Sequence, residues 1–458
     1  MLPLKSIAFL LSFVGMSAGS LFVPILGVAN YMMIYQVYPQ HAWWHNSLQP
    51  LGIRYSMIAA VCLLLGILVN LPRMPKVWPA LSLWDLCALG MVLVVLAGEF
   101  TGMGPSPENT GLTDKFVKMM IFVFCLTRVT TTKDNFIIVM WVLVLGSLYI
   151  GYDAWTAPRG AFSRGRLEVV GGPDFRHSSG LAAHMSAMLP LIAVVALTTP
   201  SWFLRIVPFL SGALAVNTVV LCRTRSAFFG ILSGTIAALL FAPKRRRIRT
   251  YAAMLVAAAA AFALTDNLFW ERMNTLRDRH LLQNDRAARG RIIIWRIAGR
   301  AIAEHPSGVG IGNFPLYVKH VDNEFGRHAA HNTFVLCAAE LGVQGTVLFV
   351  VLVLASIYQT RYCNRRAHLT SDPAWVRYMS YGLLLSIITS LGTQMFTERL
   401  YTEGFWWTLA LPGCLQRVVL REAAAQTVPL QEGGWADLRA FSEDNELVAG
   451  GLAPGPLA

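Results

Sequence analysis

Apolar residues in this chain run on in long tracts, and polar residues are confined to the gaps between them. Segments 55–71, 204–221, 226–242 and 333–357 are near-continuous apolar runs. Each approaches or exceeds the roughly 20 helical residues that cross a hydrocarbon core. One such run is compatible with a buried core helix, but a whole series of them is not. The pattern predicts twelve spans, at about 7–36, 55–71, 83–99, 116–128, 135–152, 181–199, 204–221, 226–242, 250–265, 332–357, 378–396 and 404–419. The first is long, with a break expected near Pro24, and the fourth is short enough to be re-entrant. The expected fold is all-α, a polytopic membrane helix bundle of about 12 transmembrane helices with one long, partly helical outer loop.

Composition agrees. Of 458 residues, 55% are hydrophobic and 14% charged, where soluble proteins carry about a quarter charged residues. The net charge of +13 raises nucleic acid as a partner. Its placement argues against that, because the basic residues form short clusters between apolar tracts, as loops at membrane faces do. The seven cysteines stand singly, without CxxC or zinc-like spacing, and read as small packing residues. The first twenty residues resemble a signal peptide, but apolar character continues to about Tyr35, which reads as an uncleaved first span.

Orientation follows from the basic loops. Arg73 and Lys76, the 128–133 segment, the PKRRRIR run at 243–249, and Arg361, Arg365, Arg366 and Arg377 all fall on one side. With both termini on that cytoplasmic side, twelve spans place the acid-containing 99–114 and 398–403 segments outside. Two longer polar stretches, 153–180 and 266–331, are also outside. The second has an apolar stripe through Leu276, Ile292, Trp295 and Ile302. Three regions result: 1–203, N-terminal spans with the 153–180 loop; 204–421, a core of spans around the 266–331 loop; and 422–458, a flexible cytoplasmic tail. No internal repeat is evident.

Candidate chemistry gathers in three places. Arg223 and Arg225, in LCRTRSAFFG, lie at an outer junction of two spans, against the positive-inside bias. They either snorkel to the interface or bind an anion, since guanidinium forks match phosphate oxygens. Ser226 at a helix start would add a hydroxyl and backbone N–H groups. Second comes Gly290-Arg291 through Trp295, followed by His305-Pro306-Ser307-Gly308-Val309-Gly310-Ile311-Gly312. These glycines lack the strand–turn–helix setting of a dinucleotide fingerprint and read as a tight turn back toward the membrane. Third is His331-Asn332, opening the span that carries Glu340 and Gly342. A histidine there is either an interfacial polar residue or a general base. His320 and His328 lie nearby, at spacings that match no familiar zinc site.

In order, TRSAFFG, GRIIIW…HPSGVGIGNF and HNTFVLCAAELGVQG resemble the O-antigen ligase and polymerase superfamily. The likeness is densest over 204–357. It implies a glycosyltransferase whose donor is a glycan on undecaprenyl diphosphate. The site would face the periplasm from the bacterial cytoplasmic membrane. By position, Arg225 and Arg291 would hold the diphosphate and His331 would activate the acceptor hydroxyl. Arg223, Ser226, Asn332, Trp295 and Glu340 would serve substrate binding. Where many relatives have an asparagine, this chain has Ser178, Ser179 and Gly180, with His177 and His184 close by.

The expected reaction needs no cofactor and no metal. A diphosphate leaving group calls for charge stabilisation, and no Asp-x-Asp pair offers a metal site. In-line attack would invert the anomeric centre. Partners would be the lipid-linked donor, a glycan or lipid acceptor such as lipid A-core, and membrane lipids, with no nucleic acid. A repeat-unit polymerase shares the same motifs. A protein O-glycosylation ligase, faintly echoed in GVANYMMIYQVYPQHAWW, and a transporter using Glu340 and Gln344 stay open as alternatives.

Overall fold

The computed structural model describes residues 3–74, 81–168, 170–242, 286–323 and 326–425, with ten further positions between 247 and 270. Eight helices precede the turn at Arg223: α1 (Leu4–Ser20), α2 (Pro24–Val37), α3 (Tyr55–Asn70), α4 (Leu83–Thr101), α5 (Pro107–Val129), α6 (Lys133–Trp155), α7 (Ser178–Thr198) and α8 (Ile206–Cys222). After it come α9 (Arg225–Phe241), α10 (Arg286–Glu304), α11 (Phe314–Val321), α12 (Thr333–Arg366), α13 (Pro373–Gln394) and α14 (403–425). Among the described residues the only sheet is a hairpin of β1 (Phe162–Ser163) and β2 (Arg166–Leu167). The fold is all-α.

Short polar links start the helices in a recurring way. Ser82 caps α4 in a reciprocal box with Asp85, and Ser106, Thr132 and Asp372 cap α5, α6 and α13. Pro24 begins α2 and ends the first apolar tract as two helices, at the expected break. The short fourth tract belongs to the 23-residue α5, whose first turns are polar.

Five helical stretches are long and apolar enough to cross a membrane: Tyr55–Arg73, Leu83–Thr101, Lys133–Trp155, Ser178–Thr198 and Thr333–Leu369. Leu4–Ser20, Ile206–Cys222 and Arg225–Phe241 are shorter apolar helices. These account for much of the expected series, without establishing a count of twelve. Outward faces carry apolar stripes, such as Leu86, Leu89, Leu93 and Leu96 on α4 and Val343, Val347, Val350 and Leu354 on α12. Faces of this kind suit lipid, since water-exposed apolar patches of such extent are rare. The molecule has the build of an integral membrane protein.

The helix α7 forms the middle of the bundle. It packs on α8 and α13, α13 packs on α9, and α4 runs along α12. Small residues, including Gly180, Ala182, Ala183, Ser186 and Ala187, are buried along α7 and permit close helix approach. Helices from both sides of residue 204 therefore interleave.

Three expectations need correction. The apolar stripe of the 266–331 segment is Ile294, Ile297, Ala298 and Ala301, all buried in α10, whereas Ile292 is exposed and Trp295 and Ile302 are half-buried. A spacing of three, four and seven faces one side of a helix, and α10 lays that side on α12. Next, the last helix runs to residue 425, past the expected end at 421, and Glu422 accepts hydrogen bonds from Ser371 N and Oγ at 2.8 Å. Finally, the 116–128 tract is not a short piece by itself but the second half of a 23-residue helix. Leu276, most of the 250–265 span and the tail beyond 425 lie outside the described residues.

Candidate functional site

The turn between α8 and α9 puts Arg223 in the left-handed region, with φ of 46°. Arg225 is the first residue of α9, and Ser226 is buried behind it. A cation at a helix N-terminus faces the positive end of the peptide dipoles, so guanidinium and dipole together favour an anion. Arg223 donates Nη1 to the carbonyl of Gly165, at the tip of the β1–β2 hairpin.

Arg291 enters from α10. Its guanidinium lies over the ring of Phe396, 6.0 Å from the centroid. Phe396 in turn packs at 4.7 Å on Phe229 of α9. One stack therefore joins α9, α10 and the turn after α13. One helical turn beyond Arg291, Trp295 donates Nε1 to the carbonyl of Ala330 at 2.8 Å, which ties α10 to the backbone just before His331.

His331 is also left-handed, at φ of 50°. Among the described residues only four non-glycine positions have positive φ, and three of them, Arg164, Arg223 and His331, gather here. Strained backbone persists where its surroundings over-determine it, and it clusters at working sites. For His331 the determinants are visible. Its N–H donates to Oε1 of Glu398 at 2.6 Å. Asn332 caps α12, its Oδ1 accepting from Phe334 N and Val335 N at 2.9 and 3.1 Å, and its Nδ2 donates to Met395 O. Thr333 Oγ1 donates to Thr397 O and accepts from Arg399 N, both at 3.0 Å. Segments 330–333 and 395–399 are thus zipped together.

The electrostatics follow from this crowding. Desolvation, then the positive charges of Arg291, His328 and His177, lower the pKa of His331 below the usual imidazole range. The residue as a whole keeps contact with solvent, and the lowered pKa favours the neutral imidazole, the form that accepts a proton. Burial pushes the half-buried Glu398 up to about 7, against backbone N–H groups of residues 331 and 330 that oppose the shift.

Glu340 does a different job. It is buried two residues before the break in α12, where Gly342 has φ of 67°. Its Oε1 accepts from Phe314 N at 3.2 Å and its Oε2 from the Tyr401 hydroxyl at 2.6 Å. The glycine-rich turn fills the break itself. Val309 N, Gly310 N and Val343 N bond to Ala339 O, Glu340 O and Pro306 O at 2.9, 3.0 and 3.0 Å. A Cβ at Gly308 would stand 2.3 Å from Glu340 O, and one at Gly342 would stand 2.4 Å from Pro306 O. The glycines are there for close backbone approach. Gln344, expected to pair with Glu340 at depth, is exposed instead and donates to Ser307 O at the edge of the same seam.

The serine–glycine start of α7 also has a steric meaning. A Cβ on Gly180 would lie 2.8 Å from Arg399 Nη1, which donates to Asp174 O at 2.7 Å. Asp174 is buried, which alone would raise its pKa, but Lys115 at 2.6 Å and Arg399 hold it low. His184 is buried against Phe175, with ring centroids 4.8 Å apart.

The fold therefore brings Arg225, Arg291 and His331 to one end of the bundle; Trp295 and Asn332 fix the backbone on either side of His331, Arg223 holds the hairpin tip, and Ser226 is buried at the start of α9. Glu340 braces the neighbouring seam. Sequence reasoning missed the hairpin arginines Arg164 and Arg166, and it missed Phe396 and Glu398. The Arg-Gly-Arg run at 164–166 was a readable turn signal. Phe396 and Glu398 acquire meaning only through contacts across more than sixty residues.

No curated protein matches the chain. Residues 210–350 match a family described as O-antigen ligase. That stretch contains Arg223, Arg225, Ser226, Arg291, Trp295, His331, Asn332 and Glu340, but neither the hairpin nor Glu398. Over this segment the chain is similar to the O-antigen ligase and polymerase superfamily.

Proposed function

We propose that the protein is a glycosyltransferase that moves a glycan from undecaprenyl diphosphate to an acceptor hydroxyl at the outer face of the bacterial cytoplasmic membrane. The observation carrying this reading is the position of Arg291. Its guanidinium lies over Phe396, which packs on Phe229 of the helix that Arg225 begins, and one turn further along Trp295 bonds the backbone next to His331. A proton acceptor and an anion site thus adjoin.

In this reading His331 takes the acceptor O–H proton. The acceptor oxygen attacks the anomeric carbon, the bond from that carbon to the phosphate oxygen breaks, and the diphosphate leaves with the electron pair. Configuration inverts. Arg225 and Arg291 meet the charge developing on the leaving group, at about 1.5–3 kcal/mol for each charge-assisted hydrogen bond. The two roles are coupled. Without donor, Arg291 keeps His331 poorly basic, and a bound diphosphate offsets that charge and makes the imidazole a better base as the reaction begins.

The acceptor is lipid A-core or another surface glycan or lipid in a ligase, and a growing chain in a polymerase. A deletion strain separates them on a gel: loss of a ligase leaves full-length glycan on the carrier, and loss of a polymerase leaves single repeat units. For the chemistry, His331→Ala reconstituted in liposomes with lipid-linked glycan should insert normally and lose transfer by about 100-fold or more. Arg291→Lys should be similarly impaired, since an ammonium does not replace the planar fork. Near-normal transfer by His331→Ala would sink the mechanism.

A further inference from the structure

Arg164 and Arg166 lie outside the 210–350 match, and the transfer as written does not use them. They flank the tip of the β1–β2 hairpin, in which Ser163 pairs with Arg166. The chain turns through Arg164 at φ of 50° and Gly165 at φ of 72°. Two successive left-handed residues suit the twist of paired strands, and Asn, Asp or Gly ordinarily take the first place. Arginine there carries steric strain. The tip is clamped by Arg223, whose Nη1 bonds Gly165 O and would lie 3.1 Å from a Cβ added to Gly165. The hairpin therefore docks on the α8–α9 junction, where Arg225 begins its helix.

Arg166 is half-buried, and its Nε is enclosed without a hydrogen-bond partner among the described residues. Burial disfavours its charge, and Arg225, Arg164 and Arg291 add like-charge repulsion, against Glu168 alone on the favourable side. Guanidiniums stay ionised under such pressure, so the enclosed, unsatisfied Nε of Arg166 and its cationic surroundings favour an anion with several acceptor oxygens. A diphosphate matches this requirement better than a monophosphate, because two phosphoryl groups can occupy four forks.

We propose that Arg164 and Arg166 complete, with Arg225 and Arg291, a four-arginine bowl for the diphosphate of a prenyl-linked substrate, and that the hairpin gives the bowl its preference for diphosphate over phosphate. This rests on the diphosphate reading of Arg225 and Arg291 above, and the test separates the two. Full-length protein in detergent is titrated calorimetrically with orthophosphate, inorganic pyrophosphate and geranyl diphosphate. Wild type should bind geranyl diphosphate most tightly, then pyrophosphate, with orthophosphate weaker by about tenfold or more. Arg166→Gln and Arg164→Gln should each weaken both diphosphates by about tenfold and narrow the gap to orthophosphate. Arg166→Lys keeps the charge without the fork and should fall between. Arg159→Gln removes an equal charge from an exposed position on the same loop and should bind as wild type.

Wild-type affinity in both hairpin Gln variants, with Arg291→Gln binding nothing, would overturn the hairpin assignment and leave the diphosphate site standing. Failure of the wild type to bind any of the three anions would remove the diphosphate reading and this inference with it. Equal affinity for pyrophosphate and geranyl diphosphate would assign the bowl to free diphosphate and overturn the prenyl-linked part.

Discussion

His331 carries two constraints that pull on different atoms. Its backbone is bent into the left-handed region and held there by Glu398, and its ring sits in the field of Arg291, His328 and His177. Because these lower its pKa, the imidazole stays neutral to a lower pH than a free histidine. The acid limb of the transfer rate should therefore lie below about pH 6.5. His328→Gln removes one positive neighbour and should move that limb upward by a few tenths of a pH unit while retaining most activity. An unmoved limb in a steady-state pH profile would contradict this.

Glu398 predicts a stability effect of definite sign. Its carboxyl is raised to about 7, so the fold favours the protonated form. The contribution is full below about pH 4.5 and is lost as pH rises through about 7. Glu398→Gln should therefore flatten the fall in Tm across that window. It should also lower kcat several-fold, since an amide oxygen holds the His331 N–H less firmly than a carboxylate does. Thermal unfolding in detergent from pH 4.5 to 7.5, beside the transfer assay, checks both.

At the scale of elements, the decisive object is the broken α12. Glu340 lies nine positions after His331, and the helix breaks at Gly342, where the glycine-rich turn supplies the backbone partners that the helix gives up. The turn is pinned from the other side by the α4–α5 link. Asn313 Nδ2 donates to Gly104 O at 3.0 Å, and Asn109 Nδ2 donates to Ile311 O at 2.8 Å. Both glycines lie against backbone, which cannot swing aside as a side chain can. Gly342→Ala and Gly308→Ala should each cost about 2–3 kcal/mol or more, from positive φ together with the clash. Asn332→Ala should cost about 1 kcal/mol through the lost cap. Differential scanning of purified variants ranks them, and an Asn332→Ala loss equal to the glycine losses would refute the backbone-packing account.

Across the whole molecule, a second buried charge cluster lies at the opposite end from His331. Asp85 at the start of α4 takes Arg417 of α14 at 2.9 Å and Arg128 of α5 at 3.3 Å. Ser82 donates N and Oγ to the same carboxylate oxygen at 2.8 Å. Removing one partner strands buried charge. Asp85→Asn should lower stability by about 3–5 kcal/mol yet leave transfer per folded molecule near wild type. A large loss of kcat with unchanged Tm would mean that this end takes part in function.

The apolar tracts alone determined that the chain is helical and lives in lipid, because a segment of about twenty apolar residues has few other solutions. The order of short motifs likewise singled out Arg225, Arg291 and His331. Other features were beyond local reading. The helical face that α10 buries depends on how α12 approaches it, and the Gly308–Gly342 seam exists only where two distant backbones touch. The Arg164–Arg166 hairpin looked like part of an ordinary polar loop, and its meaning came from Arg223 reaching across fifty-eight residues to bond its tip. Burial and membrane residence follow from the summed hydrophobicity of a segment, which is written in the sequence. The assembly of a charged site depends on non-local geometry, and only the tertiary structure decided it.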